Sequence, residues 1–197
     1  MKTLIYDLEI IRCIPSKVRF SDFDYCEGWR DFQNMGISVA AYGWLDDEDP
    51  TVFDWTDDVA RSSFIEAINA ADIVSGFNSV NFDDHLLAAN GVEAKTTYDI
   101  LFESRLAAYG SFDYQDQPEG HSYALDPICR ANGLTKTGSG TLAPQWWQLG
   151  EKEKVRRYCQ NDVRIEREVL RLALDGALVN PNSGQRLSVR PLAPYQY

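Results

Sequence analysis

The chain has 197 residues, 44% of them hydrophobic and 25% charged, which suits a single medium-sized domain able to bury its own core. Two histidines and four cysteines with no C-x-x-C pair leave little material for a zinc centre, a histidine-based triad or a disulfide framework, so reduced, buried thiols are expected. The formal net charge of −11 runs against a general nucleic-acid binder, and no apolar stretch approaches the about eighteen residues of a membrane span, so a cytoplasmic protein is expected.

In chain order, residues 3–10 (TLIYDLEI) alternate and are rich in strand formers, which predicts a first strand. Residues 15–33 are polar but carry Phe20, Phe23, Tyr25, Trp29 and Phe32. That composition marks an ordered insertion whose aromatics form either a satellite core or stacking surfaces for unpaired bases. A second strand is predicted over 36–45, a turn over 46–50 and a short third strand over 51–53. Thr56, Asp57 and Asp58 open a helix to Ala70, with Val59, Phe64, Ile65 and Ile68 on one face. A short buried strand follows over 72–77, then helices over 82–90 (stopped by Gly91), 99–109 and 122–131. An acidic loop lies at 110–120, and a flexible Lys136-Thr137-Gly138-Ser139-Gly140 loop precedes the longest helix, 151–174. Strands first, then alternating strand and helix, then helices alone imply an α/β domain with a mixed sheet. The domain is drawn over 1–175, with 176–197 as a tail packed on it or partly loose.

The charge is unevenly spread. Residues 1–120 hold 23 acids and 8 bases, whereas residues 121–197 hold 7 acids and 11 bases. Seven of those bases fall between Lys152 and Arg171 on the longest predicted helix, where they face either a nucleic acid or plain solvent.

Three acidic motifs stand out. Asp7-Leu8-Glu9 puts two carboxylates on one side of a strand, since residues two apart share a face. Such a pair repels itself unless protons or a cation neutralise it, and the apolar residues on either side make a merely solvated strand face the poorer alternative. Asn78-Ser79-Val80-Asn81-Phe82-Asp83 follows a buried strand and opens a helix, where α/β folds place functional residues. In a simpler reading Asp83, or equally Asp84, only caps that helix. Tyr158 and Asp162 lie one turn apart on the longest helix, on a face shared with inward apolar positions.

The succession D-x-E, N-x-x-x-F-D and Y-x-x-x-D resembles the DnaQ-like 3′→5′ exonucleases that carry four acids and a tyrosine, the DEDDy group. The middle motif is most similar to the proofreading domains of family B DNA polymerases and to small stand-alone exonucleases related to them. The resemblance runs over residues 1–174. Where the sister group carries a catalytic histidine, this chain has Arg157. The resemblance implies a ribonuclease H-like fold, a five-stranded mixed sheet flanked by helices. Only four strands are evident, so the fifth is expected near residues 95–98.

The resemblance also implies a site. Asp7, Glu9, Asp83 and Asp162 would bind two divalent metal ions, Mg²⁺ or Mn²⁺. Asp7, Glu9 and Asp162 surround one ion, Asp7 bridges to the second, and Asp83 reaches that second ion through water. Tyr158 aligns the attacking water. The backbone at Ile10 and Ile11 would meet the terminal sugar. Asn78 orders the loop before Asp83 or touches substrate, unless it makes a simple Asx turn. Phe82 and Lys136 complete the candidate substrate contacts, Lys136 tracking a phosphate unless its loop is merely flexible.

The implied reaction releases nucleoside 5′-monophosphates from the 3′ end of single-stranded DNA. Two alternatives stay open. One is an RNA 3′-end trimming enzyme resembling the ribonuclease D branch, whose extra helical domain has no room here. The other is a non-catalytic adaptor or subunit, docked through the acidic surface to a polymerase or another nuclease.

Overall fold

The computed structural model describes residues 1–16, 22–47, 49–93 and 95–195. Phe20 of the predicted insertion, Glu48 of the predicted turn and the last two residues of the tail lie outside the described residues. The described residues form five strands: β1 (Thr3–Ile10), β2 (Ile37–Trp44), β3 (Thr51–Asp54), β4 (Ile73–Gly76) and β5 (Tyr98–Asp99). They form one sheet in the order β3-β2-β1-β4-β5. β1 is antiparallel to β2 and parallel to β4, and β4 is parallel to β5. This mixed sheet is the ribonuclease H-like α/β arrangement. The fifth strand begins at the last residue of its expected window and is two residues long.

Among the described residues, seven α-helices flank the sheet: α1 (Phe32–Met35), α2 (Asp58–Ala70), α3 (Asp83–Ala89), α4 (Ile100–Tyr109), α5 (Leu125–Ala131), α6 (Ala143–Gln148) and α7 (Lys152–Leu174). The sequence does not predict α1 or α6, because four and six residues are too few to display a helical period. α5 starts at Leu125 and not at 122, since the Ser122 amide is bonded to the Asn182 side chain at 2.9 Å instead of entering a helix.

Alternation along β1 sorts its side chains onto two faces. Leu4, Tyr6, Leu8 and Ile10 pack with Phe64 and Ile68 of α2 and with Leu86 and Leu87 of α3. Ile5 faces the other way, into a core with Val39, Ala41 and the inward stripe of α7 that includes Val155, Cys159, Val163 and Val169. Each such aliphatic side chain contributes about 1.5–3 kcal/mol of burial. Asp7 and Glu9 follow Ile5 onto the α7 face.

The basic stretch on α7 has an internal use. Arg156 grips Asp54 with two bonds of 2.8 and 2.7 Å, and Arg164 reaches Asp49 at 2.7 Å. Arg167 donates to the Asp47 carbonyl and Arg171 to that of Leu45. The acidic β2–β3 hairpin is thus docked on four of the seven bases of the helix, whereas Lys152, Lys154 and Arg157 stay exposed to solvent. The tail also packs. Leu178 and Leu187 are buried in the α7-side core, and the Tyr195 amide bonds the Thr97 carbonyl at 2.9 Å.

Candidate active site

The site forms where β1, the segment after β4 and α7 meet. A pairing irregularity between Glu9 and Ile10 interrupts the β1–β2 ladder next to the two β1 acids. Asp7 is half-buried and Glu9 is 5% exposed.

The second acid is delivered by a tightly held turn. β4 ends at Gly76, where a Cβ would lie 2.0 Å from Ser79 Oγ, so only glycine lets the chain fold back there. Asn78 adopts a left-handed backbone, φ 67°, which asparagine tolerates better than other side chains. The buried Asp99 carboxylate fixes that conformation. It accepts from the Asn78 and Val80 amides (3.0 and 3.1 Å) and from Leu101 and Phe102 at the start of α4 (2.9 and 3.2 Å). The sequence marks Asp99 only as the start of a helix. Its hold on the turn is long-range and leaves no local signal.

The turn ends in consecutive aspartates with opposite surroundings. Asp84 is fully engaged, bonded by the Tyr6 hydroxyl (2.6 Å) and by the Thr96 amide and hydroxyl (2.9 Å each). Asp83, 4% exposed, keeps a buried Oδ1 with no partner and borders the cleft.

α7 brings Tyr158 and Asp162 over Asp7, with Cys159 donating to the Asp7 carbonyl at 3.4 Å. Trp146 of α6 meets the Tyr158 ring edge-on at 5.8 Å. The loop from Lys136 closes over the other side. Lys136 Nζ pairs with Asp162 Oδ2 at 2.5 Å and lies 5.1 Å from the Tyr158 ring centre. A Cβ on Gly138 would approach Tyr158 Cδ2 to 2.9 Å, so the loop passes close over the phenol only because a hydrogen stands there.

These groups border one cleft of about 620 Å³. Ile10, Asn78, Phe82, Asp83, Lys136, Tyr158 and Asp162 all face it, as do Asp7 and Glu9. Ile11 is not among its lining residues, and its side chain lies against Gly36. The insertion divides as well. Phe32 stacks on His85 within the α2–α3 side, whereas Trp29 stands at the cleft, 65% exposed and 5.7 Å from Phe82.

One lining acid escapes the motif reading. Glu166 is one turn beyond Asp162, 3% exposed, and its Oε2 has no partner. A glutamate among the inward positions of α7 is the signal that would have found it.

Burial dominates the electrostatics. It pushes Asp7 up to about 7, with Asp162 adding to the rise and Lys136 opposing it. Burial followed by the Asp7 charge holds Glu9, Asp83 and Glu166 well above the carboxylate range. Asp162 is raised less, because Lys136 opposes its burial. Burial and the nearby Asp162, Glu9 and Asp7 charges push the Tyr158 phenol upward, so it remains protonated.

Buried carboxylate oxygens without partners are expensive. Asp7 Oδ2, Asp83 Oδ1, Asp162 Oδ1 and Glu166 Oε2 are four such atoms around one cleft. A divalent cation would satisfy them, and oxygen donors suit a hard ion. Asp7, Glu9 and Cys159 also bring ligand atoms within 4.8 Å of one another. The Cys159 thiol is pushed well up by burial and donates to a backbone carbonyl, which makes it a support and a poor ligand.

No protein-family model matches this sequence, and no curated protein matches it either. Among solved structures, a family B DNA polymerase from the hyperthermophilic archaeon Pyrobaculum calidifontis is similar at 17% identity. The likeness covers 95% of this chain and 26% of that one, with a TM-score of 0.58. Exonuclease I of E. coli, in complex with a dT13 oligonucleotide, aligns more loosely: 15% identity, 87% of this chain, 44% of that one, TM-score 0.41. The chain therefore spans about a quarter of the polymerase and less than half of exonuclease I. The likeness to the polymerase is one of fold. Among the described residues, no helix is long and apolar enough to cross a membrane.

Proposed function

We propose that this chain is a divalent-metal-dependent 3′→5′ exonuclease that shortens single-stranded DNA. The observation that carries the reading is the cluster of partnerless carboxylate oxygens, brought from β1, the start of α3 and α7 to one cleft beside a phenol. Hydrolysis of a phosphodiester needs an activated water, neutralised phosphate charge and a stabilised leaving oxygen, and two Mg²⁺ or Mn²⁺ ions supply all three when bound.

In this reading Asp7, Glu9, Asp83 and Asp162 hold the ions. Tyr158, kept protonated, positions the attacking water by a hydrogen bond. Water attacks the terminal phosphorus and the bond to the neighbouring 3′-oxygen breaks. The products are a nucleoside 5′-monophosphate and a strand with a free 3′-hydroxyl. Lys136 fixes Asp162 and meets a phosphate, the backbone at Ile10 meets the terminal sugar, and Asn78 orders the loop before Asp83 or touches the substrate.

The cleft volume falls within the range of about 300–1,000 Å³ common for ligand sites, which suits a strand end. Trp29 and Tyr114, both exposed at this cleft, offer faces on which unpaired bases stack. An aromatic entrance favours single strands, whose bases are free to stack.

The test compares 5′-labelled single-stranded DNA with its RNA counterpart, in Mg²⁺ or Mn²⁺, for the wild-type chain and Asp162→Ala. The expected result is a ladder that shrinks from the 3′ end, faster on DNA, and disappears with EDTA and in the variant. Intact substrate in every lane, from a folded protein, sinks the reading.

A further inference from the structure

Glu166 is not one of the acids singled out by the motif order. It continues the line Tyr158, Asp162, Glu166 along one side of α7, borders the same cleft and is 3% exposed. Its Oε2 is buried and bonded to nothing. The surrounding stripe on α7 is apolar: Val155, Cys159, Val163, Val169 and Leu170 are all buried. A leucine or methionine at 166 would pack among them without the penalty of a buried, incompletely bonded carboxyl. The residue is thus a poor choice for stability alone, and a good one if something in the cleft binds it.

Charge supplies the second strand of the argument. Lys136 is paired with Asp162 at 2.5 Å, which cancels one of the four motif carboxylates. Four acids less one ammonium fall one negative charge short of two divalent cations, and Glu166 restores the balance.

We propose that Glu166 is a fifth carboxylate of the metal site, acting with Asp162 at the α7 side of the cleft. The proposal rests on the metal-dependent reading above and adds a ligand that Lys136 makes necessary.

The test uses the full chain and Mn²⁺ as the probe, by titration calorimetry and by thermal melts in EDTA and in saturating Mn²⁺. Glu166→Gln keeps the side-chain shape and removes the charge. It should melt in EDTA at or above the wild-type temperature, bind Mn²⁺ at least about tenfold more weakly, and gain less melting temperature from Mn²⁺. Asp162→Asn serves as the control and should weaken binding under either reading of Glu166.

An unchanged Mn²⁺ isotherm for Glu166→Gln, beside a weakened one for Asp162→Asn, overturns the proposal and leaves the metal site standing. The same holds if Glu166→Gln only melts earlier in EDTA with its Mn²⁺ binding intact, which assigns a structural role. A wild-type chain that binds no Mn²⁺, or an Asp162→Asn variant that binds it as the wild type does, removes the metal reading itself and this proposal with it.

Discussion

The two faces of β1 are finished to different standards. Leu4, Tyr6, Leu8 and Ile10 enter a core in which the Tyr6 hydroxyl is bonded to Asp84. On the opposite face Ile5 packs normally, but Asp7 keeps an oxygen without a partner, as do Asp83, Asp162 and Glu166 around it. One strand therefore carries both the mechanical centre of the sheet and its chemical edge. A protein that satisfies Asp84 with three hydrogen bonds and leaves Oδ1 of the adjacent Asp83 without a partner has the means to satisfy both. The bare atoms are what the proposed metal site accounts for.

The largest expected effect comes from testing those neighbours against each other. Asp83→Asn should lower nuclease turnover by about 10³-fold while the metal-free melting temperature holds or rises. Asp84→Asn should cost about 1–3 kcal/mol in urea unfolding and leave turnover within a few-fold. The reverse pattern would break the contrast. On the finished face, Phe64→Ala should cost about 3–5 kcal/mol, with activity per folded molecule unchanged. A selective loss of activity there would mean that the two faces are not separable.

Gly138→Ala probes the loop that roofs the site. Its new methyl must displace the Tyr158 ring, so turnover should fall by about 10- to 100-fold with little change in unfolding free energy. The smallest effect is in pH. Burial holds Asp7 at about 7 and Asp99 at about 6, against an ordinary 3.8. Both bind protons more readily in the folded chain, so in EDTA stability is greatest at the acid end of the window from about pH 4 to 7 and declines as pH rises through it. Melting temperatures in EDTA should drop by a few degrees from about pH 5 to about pH 8, and Mn²⁺ should remove most of that drop. A flat profile in EDTA would argue that these carboxyls are not desolvated.

How far the sequence carried follows from which signals are local. Alternation exposes β1, and the N-x-x-x-F-D and Y-x-x-x-D spacings mark the residues that the fold brings to one cleft. Two-residue β5 and four-residue α1 are too short for any period to register. Asp99 reads as a helix start because its bonds to Asn78 and Val80 span about twenty residues. Glu166 reads as one more charge on a charged helix until the phase of α7 is fixed by Tyr158 and Asp162. The charge asymmetry was the least legible feature: part of it is an acidic hairpin docked on four arginines of α7.

Asp99 also receives the C-terminal segment: its amide donates to the Tyr195 hydroxyl at 2.8 Å. The carboxylate that shapes the approach to Asp83 and the residue that ends the described chain are therefore held by one amino acid. Cutting the chain after its last motif would strip Leu178 and Leu187 from the core and release that anchor. The motifs thus depend on a segment that lies well beyond them in the sequence.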